Sequence, residues 1–217
     1  SIARNEAMVK KMAEAGFRAV FMGIESVSSH NLRTMEKMDI AETAKQAVEI
    51  CHRHGIMVIG GLIFGLPDDD EEAIRKNYEF INVLEADASY CQILTPYPKT
   101  RLREQLISEG LVTNPDRYER YSGFWANVKT RHLNSDQLQY AFWYYRNTAL
   151  GWWKPSTATG KMGRLWTSIW MYAVKPVMKF FADRQIRRTG WEELYQQYLR
   201  RLETMNRFPT LEKFRRK

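Results

Sequence analysis

Two cysteines, Cys51 and Cys91, are all that this 217-residue chain holds. That excludes a disulfide-stapled scaffold and any metal or cluster site built on cysteine alone, which needs at least three thiolates. Histidine is almost as sparse. His30, His52, His54 and His132 form no ligand pattern, and on a helix His52 and His54, two positions apart, face differently. The chain opens on Ser1 rather than Met and shows no basic, apolar and small-residue series of a signal peptide. These absences predict a fragment or a trimmed product in a reducing, cytoplasmic setting.

What is present is the composition of an ordinary folded domain, 44% hydrophobic and 27% charged. The length suffices for one sizeable core, or for a domain with an appendage. The net charge of +8 is unevenly spread: residues 151–217 carry 15 Lys/Arg against 5 Asp/Glu, which leaves the first 150 residues mildly acidic. Two functional regions are therefore expected.

Residues 1–112 alternate helix-like and strand-like segments, the pattern of parallel strands with helices packed outside. A first helix carries Met8, Val9, Met12 and Ala15 and stops at Gly16. A short strand over 18–23 leads to Glu25 and Ser26. A second helix, 41–54, stops at Gly55, and residues 56–64 are all apolar or Gly, as a strand buried on both faces requires. Gly65-Leu66-Pro67 breaks that strand, and Asp68-Asp69-Asp70-Glu71-Glu72 sets negative charge at the start of the next helix. A third strand, 88–95, runs into Pro96-Tyr97-Pro98, and a helix over 100–109 is capped by Gly110. The repeat is roughly 35 residues, the size of a strand-plus-helix barrel unit. Three strands cannot close a barrel, so the rest is expected to precede Ser1.

In such folds ligands meet the C-terminal ends of the strands. Glu25 follows an apolar strand, where a carboxylate either serves a ligand donor such as a ribose hydroxyl or an ammonium group, or is solvated or paired with Arg33 or Lys37. The glycine pair Gly60-Gly61 either lets a flat ligand approach the backbone or permits close helix packing.

Met22-Gly23-Ile24-Glu25-Ser26, followed by Asn31-Leu32 and Met35-Glu36-Lys37, resembles the fourth-strand signature of radical S-adenosylmethionine (SAM) enzymes. Residues 60–67 resemble the fifth-strand glycine motif of the same superfamily, and Leu94-Thr95-Pro96-Tyr97-Pro98-Lys99-Thr100 its sixth-strand motif. The three motifs, in order, span nearly all of residues 1–112. The segment 118–133 and the helix after it are similar to the cobalamin-binding subgroup that includes anaerobic cyclases and lipid methylases.

The resemblance implies an α/β fold: the C-terminal half of a partial (β/α)6 TIM-type barrel over 1–112, followed by a basic, aromatic-rich helical extension over 113–217. It implies that Glu25 and Ser26 contact the polar ribose or amino-acid part of SAM, that Gly61, Ile63 and Gly65 line the adenine, and that Leu94 and Thr95 close over the adenine edge. The implied reaction of the intact protein is reductive SAM cleavage at a 4Fe–4S cluster to a 5′-deoxyadenosyl radical, or methylation with cobalamin. A missing N-terminal half and a reductant such as flavodoxin or ferredoxin are the implied partners.

Two departures stand out. The three-cysteine cluster motif is absent, so the cluster ligands are expected outside this chain, with Cys51 and Cys91 packed as apolar residues and the isolated chain inactive. Lys99 stands where the family usually has Gly, and a positive φ there would strain the turn. The competing reading is a half-barrel interaction module without catalysis, whose basic tail docks on membrane or protein.

In the tail, aromatic-rich helices are expected over roughly 135–150, 160–183 and 191–206. Leu165, Trp166, Ile169, Trp170, Ala173, Val177, Phe180 and Phe181 form a helical stripe interspersed with Arg164, Lys175, Lys179 and Arg184. Pro176 should kink this helix, and its charges are too many for a transmembrane span. The stripe either packs on the protein itself, the default for an amphipathic helix, or rests through 160–184 on an anionic membrane surface, making the protein peripheral to the membrane. Basic and aromatic residues without a helix-turn-helix, zinc-finger or ribonucleoprotein motif do not point to nucleic acid.

Overall fold

The structure, a computed structural model, describes residues 2–25, 40–148 and 169–206. Ser26, the family-like positions 31–37 and the stripe residues before Ile169 lie outside the described residues.

The helix α1 (Glu6–Glu14) begins where the Asn5 side chain accepts the Met8 N–H at 3.0 Å, and ends just before Gly16, whose φ is +95°. The order then runs β1 (Ala19–Glu25), α2 (Ile40–Arg53), β2 (Met57–Phe64), α3 (Glu71–Leu84), β3 (Ala88–Ile93) and α4 (Arg101–Ser108). The three strands form one parallel sheet in the order β1-β2-β3. Val9, Val48 and Cys51, Ile74, Tyr78 and Ile81 from the helices meet Val58, Leu62, Phe64 and Ile93 of the sheet in one apolar core. Among the described residues, helices cover only that face of the sheet. The expectation that β2 is buried on both faces is therefore corrected: Met57, Ile59 and Ile63 are half-buried, because among the described residues no helix lies over them.

The acidic run after β2 divides its labour. The Asp69 carboxylate, fully buried, accepts the N–H groups of Gly65 (2.8 Å) and Leu66 (3.0 Å) and so shapes the turn. Asp70 caps α3 by accepting the Ala73 N–H at 2.7 Å. Asp68 pairs with Arg131, and Glu72 with Arg75.

The core continues beyond residue 112. Val112 and Val128 form an antiparallel bridge, and the N–H of Ile93 donates to the Gly123 carbonyl at 2.7 Å, so this segment covers the outer edge of β3. The helix α5 (Ser135–Thr148) inserts Leu138 and Phe142, both fully buried. Phe142 meets Phe64 edge-on with ring centroids 5.5 Å apart, and its carbonyl accepts the Tyr78 hydroxyl at 3.0 Å.

After α5 come a π-helical stretch (Trp170–Val174), α6 (Lys175–Thr189) and α7 (Trp191–Asn206). Pro176 sits in the first turn of α6, directly after the π-helical stretch, and Val174 at their junction keeps helical dihedrals of φ −80° and ψ −47°. The helix runs past Asp183 to Thr189 and stops at Gly190 with φ +78°. In the described part of the stripe, Val177, Phe180 and Phe181 are 53%, 55% and 58% exposed.

Candidate functional site: the C-terminal rim of the sheet

Because the strands are parallel, their C-terminal ends at Glu25, Phe64 and Ile93 share one edge. Gly23 pairs with Gly61 and Glu25 with Leu62, so the register shifts by one residue just before β1 ends. Glu25 stands on the rim by its backbone; its side chain is outside the described residues.

The uncovered face begins below that rim. Side chains alternate along a strand, so Phe21 and Gly23 share this face with Ile59, Gly61 and Ile63 of β2 and with Tyr90 and Gln92 of β3. Phe21 is 61% exposed and Tyr90 44%. Their rings meet edge-on at 6.2 Å, and Gln92 Nε2 donates to the Tyr90 hydroxyl at 2.9 Å. A Cβ on Gly61 would lie 2.5 Å from the Phe21 ring, whereas one on Gly23 would meet nothing within 4 Å. Gly61 therefore leaves room for an aromatic ring laid across the sheet, here that of Phe21. Its neighbour Gly60 faces the core, where a Cβ would lie 3.1 Å from Ile24. The two glycines thus answer to different neighbours.

Of the other expected residues, Ile63 is half-buried on the open face. Gly65 has φ +83° and is enclosed by Leu138, Ile93 and Val128, with Leu138 at 2.8 Å from a built Cβ. Leu94 is buried and its N–H donates to the Phe64 carbonyl at 2.7 Å. Thr95 is half-buried at the rim and donates its hydroxyl to the Ile93 carbonyl at 3.1 Å. The structure thus brings Gly61, Ile63 and Thr95 to the open face and its rim, and turns Gly65 and Leu94 into protein.

The loop after β3 is held by Arg103. Its guanidinium donates to the Pro96 carbonyl (3.0 Å), the Tyr121 hydroxyl (2.7 Å) and the Pro115 carbonyl (2.8 Å). Lys99 in that loop has φ +62°, the conformation that a glycine would adopt without cost. Sequence reading missed Phe21, Tyr90, Gln92 and Arg103. The alternation Phe21, Gly23, Glu25 was a signal for the first, but the register that sets Phe21 over Gly61 is not readable from one strand.

Cys51 and Cys91 are buried free thiols on α2 and β3. Burial pushes the Cys91 thiol up to about 11 and raises that of Cys51. Among the described residues no group of three His, Cys, Asp or Glu side chains could hold a metal ion, and no helix is long and apolar enough to cross a membrane.

Residues 2–81 match the family model of the Radical SAM superfamily. Over 134 residues the chain is 31% identical to an uncharacterized methyltransferase of Pyrococcus horikoshii, a match covering 62% of this chain and 29% of that protein. It is 28% identical over 134 residues to the bacteriochlorophyllide d C-8(2)-methyltransferase of Chlorobaculum tepidum, 61% of this chain and 30% of that one. With the hopanoid C-2 methylase of Rhodopseudomonas palustris it shares 29% identity over 120 residues, 55% of this chain and 23% of the methylase. The chain thus spans less than a third of the length of these curated relatives.

Proposed function

Residues 2–81 belong to the radical SAM superfamily, and on that premise we propose that this chain is the SAM-binding C-terminal half of a radical SAM barrel. The single observation that carries the proposal is the parallel sheet whose three C-terminal ends share one rim above an open, largely apolar face.

The residues present fit the nucleoside part of SAM. Gly23 leaves the backbone of β1 open to a flat ring, Gly61 seats the Phe21 ring beside it, Ile63 supplies apolar contact, and the edge of β1 at Glu25 brings a carboxylate residue to the rim where a ribose or an ammonium group would lie. Thr95, with its hydroxyl tied to the Ile93 carbonyl, and Ser26 complete the proposed set, while Gly65 and Leu94 act from behind by fixing the turns that carry the rim. When bound, SAM would supply the 5′-deoxyadenosyl group for hydrogen abstraction or the methyl group for transfer. The chain's own part is to hold the nucleoside in one orientation and exclude water from it.

The described residues do not fit a 4Fe–4S cluster, since the only thiols sit apart, buried and protonated, on α2 and β3. Its ligands, in this proposal, belong to an N-terminal half of the intact protein, which would also receive electrons from a flavodoxin- or ferredoxin-like reductant. Methyl transfer is the reaction that the names of the relatives support best. Cobalamin enters as the methyl carrier of the intact protein, supported by the resemblance to the cobalamin-binding subgroup. Anaerobic reconstitution tests the reading. The full-length protein with SAM and a reductant should release 5′-deoxyadenosine or a methylated product, and residues 1–217 alone should release neither; the reverse result overturns it.

For the tail, the exposure of Val177, Phe180 and Phe181 beside Arg184, Arg187 and Arg188 favours a membrane-surface role over packing on the protein itself. In this reading α6 lies along an anionic bilayer and makes the protein peripheral to it.

A further inference from the structure

Between α5, α6 and α7 lies a cleft of about 710 Å³, within the roughly 300–1,000 Å³ of small-molecule sites. Its construction follows from the sequence. Gly190, with φ +78°, ends α6 and turns the chain into α7. Trp143 of α5 meets Trp191 at 5.7 Å and Tyr198 at 6.2 Å, so an aromatic wall is set before any ligand arrives. Ile186 and Leu194 extend the apolar lining.

The charges in the lining are one-sided. Arg146, Lys179 and Arg201 come from three different helices, against the single carboxylate of Asp183. None of the three cations is in an ion pair among the described residues. Three exposed cations drawn to one cleft repel one another, and a bound anion removes that cost. The two guanidinium groups can each grip a carboxylate, sulfonate or phosphate in bidentate fashion. Apolar floor and cationic rim together define the ligand.

We propose that this cleft binds a small amphipathic organic anion, with its flat apolar body against Trp143 and Trp191 and its acidic group between Arg146, Lys179 and Arg201. The site is distinct from the rim of the sheet. It lies beyond α5, which packs on α3 at the helix-covered face through Tyr78 and Phe142. The inference does not rest on the radical SAM reading.

Two fluorescent probes that share an aromatic body and differ in charge test it on the full-length protein: anilinonaphthalene sulfonate and uncharged phenylnaphthylamine. The sulfonate should bind tighter, with quenching of tryptophan emission. The double variant Arg146→Gln, Arg201→Gln should weaken the sulfonate about tenfold or more and leave phenylnaphthylamine unchanged, at an unaltered melting temperature. Trp191→Leu should weaken both probes. Equal affinity of the two probes for the unmodified protein, or sulfonate binding that ignores the double substitution, overturns the proposal. So does a double variant that loses binding to anionic vesicles while keeping the sulfonate, because the cations would then serve a bilayer.

Discussion

Nε2 of His52, near the end of α2, lies 2.8 Å from Oδ2 of Asp87, just ahead of β3. The same oxygen accepts the N–H of Val58 at 2.7 Å, while the Asp87 N–H donates to the Val58 carbonyl at 2.9 Å. One nearly buried carboxylate thereby ties a helix to the N-terminal ends of two strands, opposite the rim proposed for SAM. Removing it leaves buried donors without an acceptor, so Asp87→Ala should lower unfolding stability by about 1–3 kcal/mol. An unchanged urea midpoint would contradict this.

The thiols give a pH dependence. Burial raises the Cys91 pKa from 9.0 to about 11, so the folded state resists ionisation that the unfolded chain undergoes. Its contribution is fully present below pH 9 and is lost as the pH rises toward about 11. Burial pushes Cys51 the same way. At pH 8 iodoacetamide should leave both cysteines unmodified in the folded protein and alkylate both in urea, as mass spectrometry would read; fast native labelling of Cys91 would contradict the burial.

Two positions with positive φ make opposite predictions. Lys99→Gly should stabilise the protein by about 0.5–1 kcal/mol, since a side chain now held at φ +62° is relieved. Gly65→Ala should destabilise it by about 2 kcal/mol or more, since φ is +83° and the new methyl would press on Leu138. Thermal denaturation of both variants decides, and a common sign would contradict the geometry.

These two residues also mark how far the sequence could be read. The glycine stops at Gly16, Gly55 and Gly110, all with positive φ, bound helices that periodicity places within a residue or two. The strain expected at Lys99 is found as well. Contacts between distant segments are a different matter. Phe21 over Gly61 depends on strand register, His52 on a carboxylate 35 positions away, and Gly65 on a helix that begins at Ser135. In α6 the apolar period is real, but periodicity states only that one side is apolar; it does not say whether protein or another phase covers it.

That ambiguity is testable on α6. Replacing Phe180 and Phe181 with Ser should leave the melting temperature nearly unchanged, because both rings are more than half exposed. The same variant should co-sediment with vesicles rich in anionic lipid several-fold less than the parent protein. Vesicle binding unaffected by the substitutions, or absent in both proteins, would contradict the membrane-surface reading.

The nucleoside-binding rim is tested most directly by equilibrium dialysis of labelled SAM against the full-length protein and its Ile63→Arg variant. A cationic, bulky side chain on the open face beside Gly61 should block a flat base and repel the sulfonium, so affinity should fall at least about tenfold, roughly 1.4 kcal/mol, while the fold is retained. SAM bound with equal affinity by a folded Ile63→Arg protein would contradict the account.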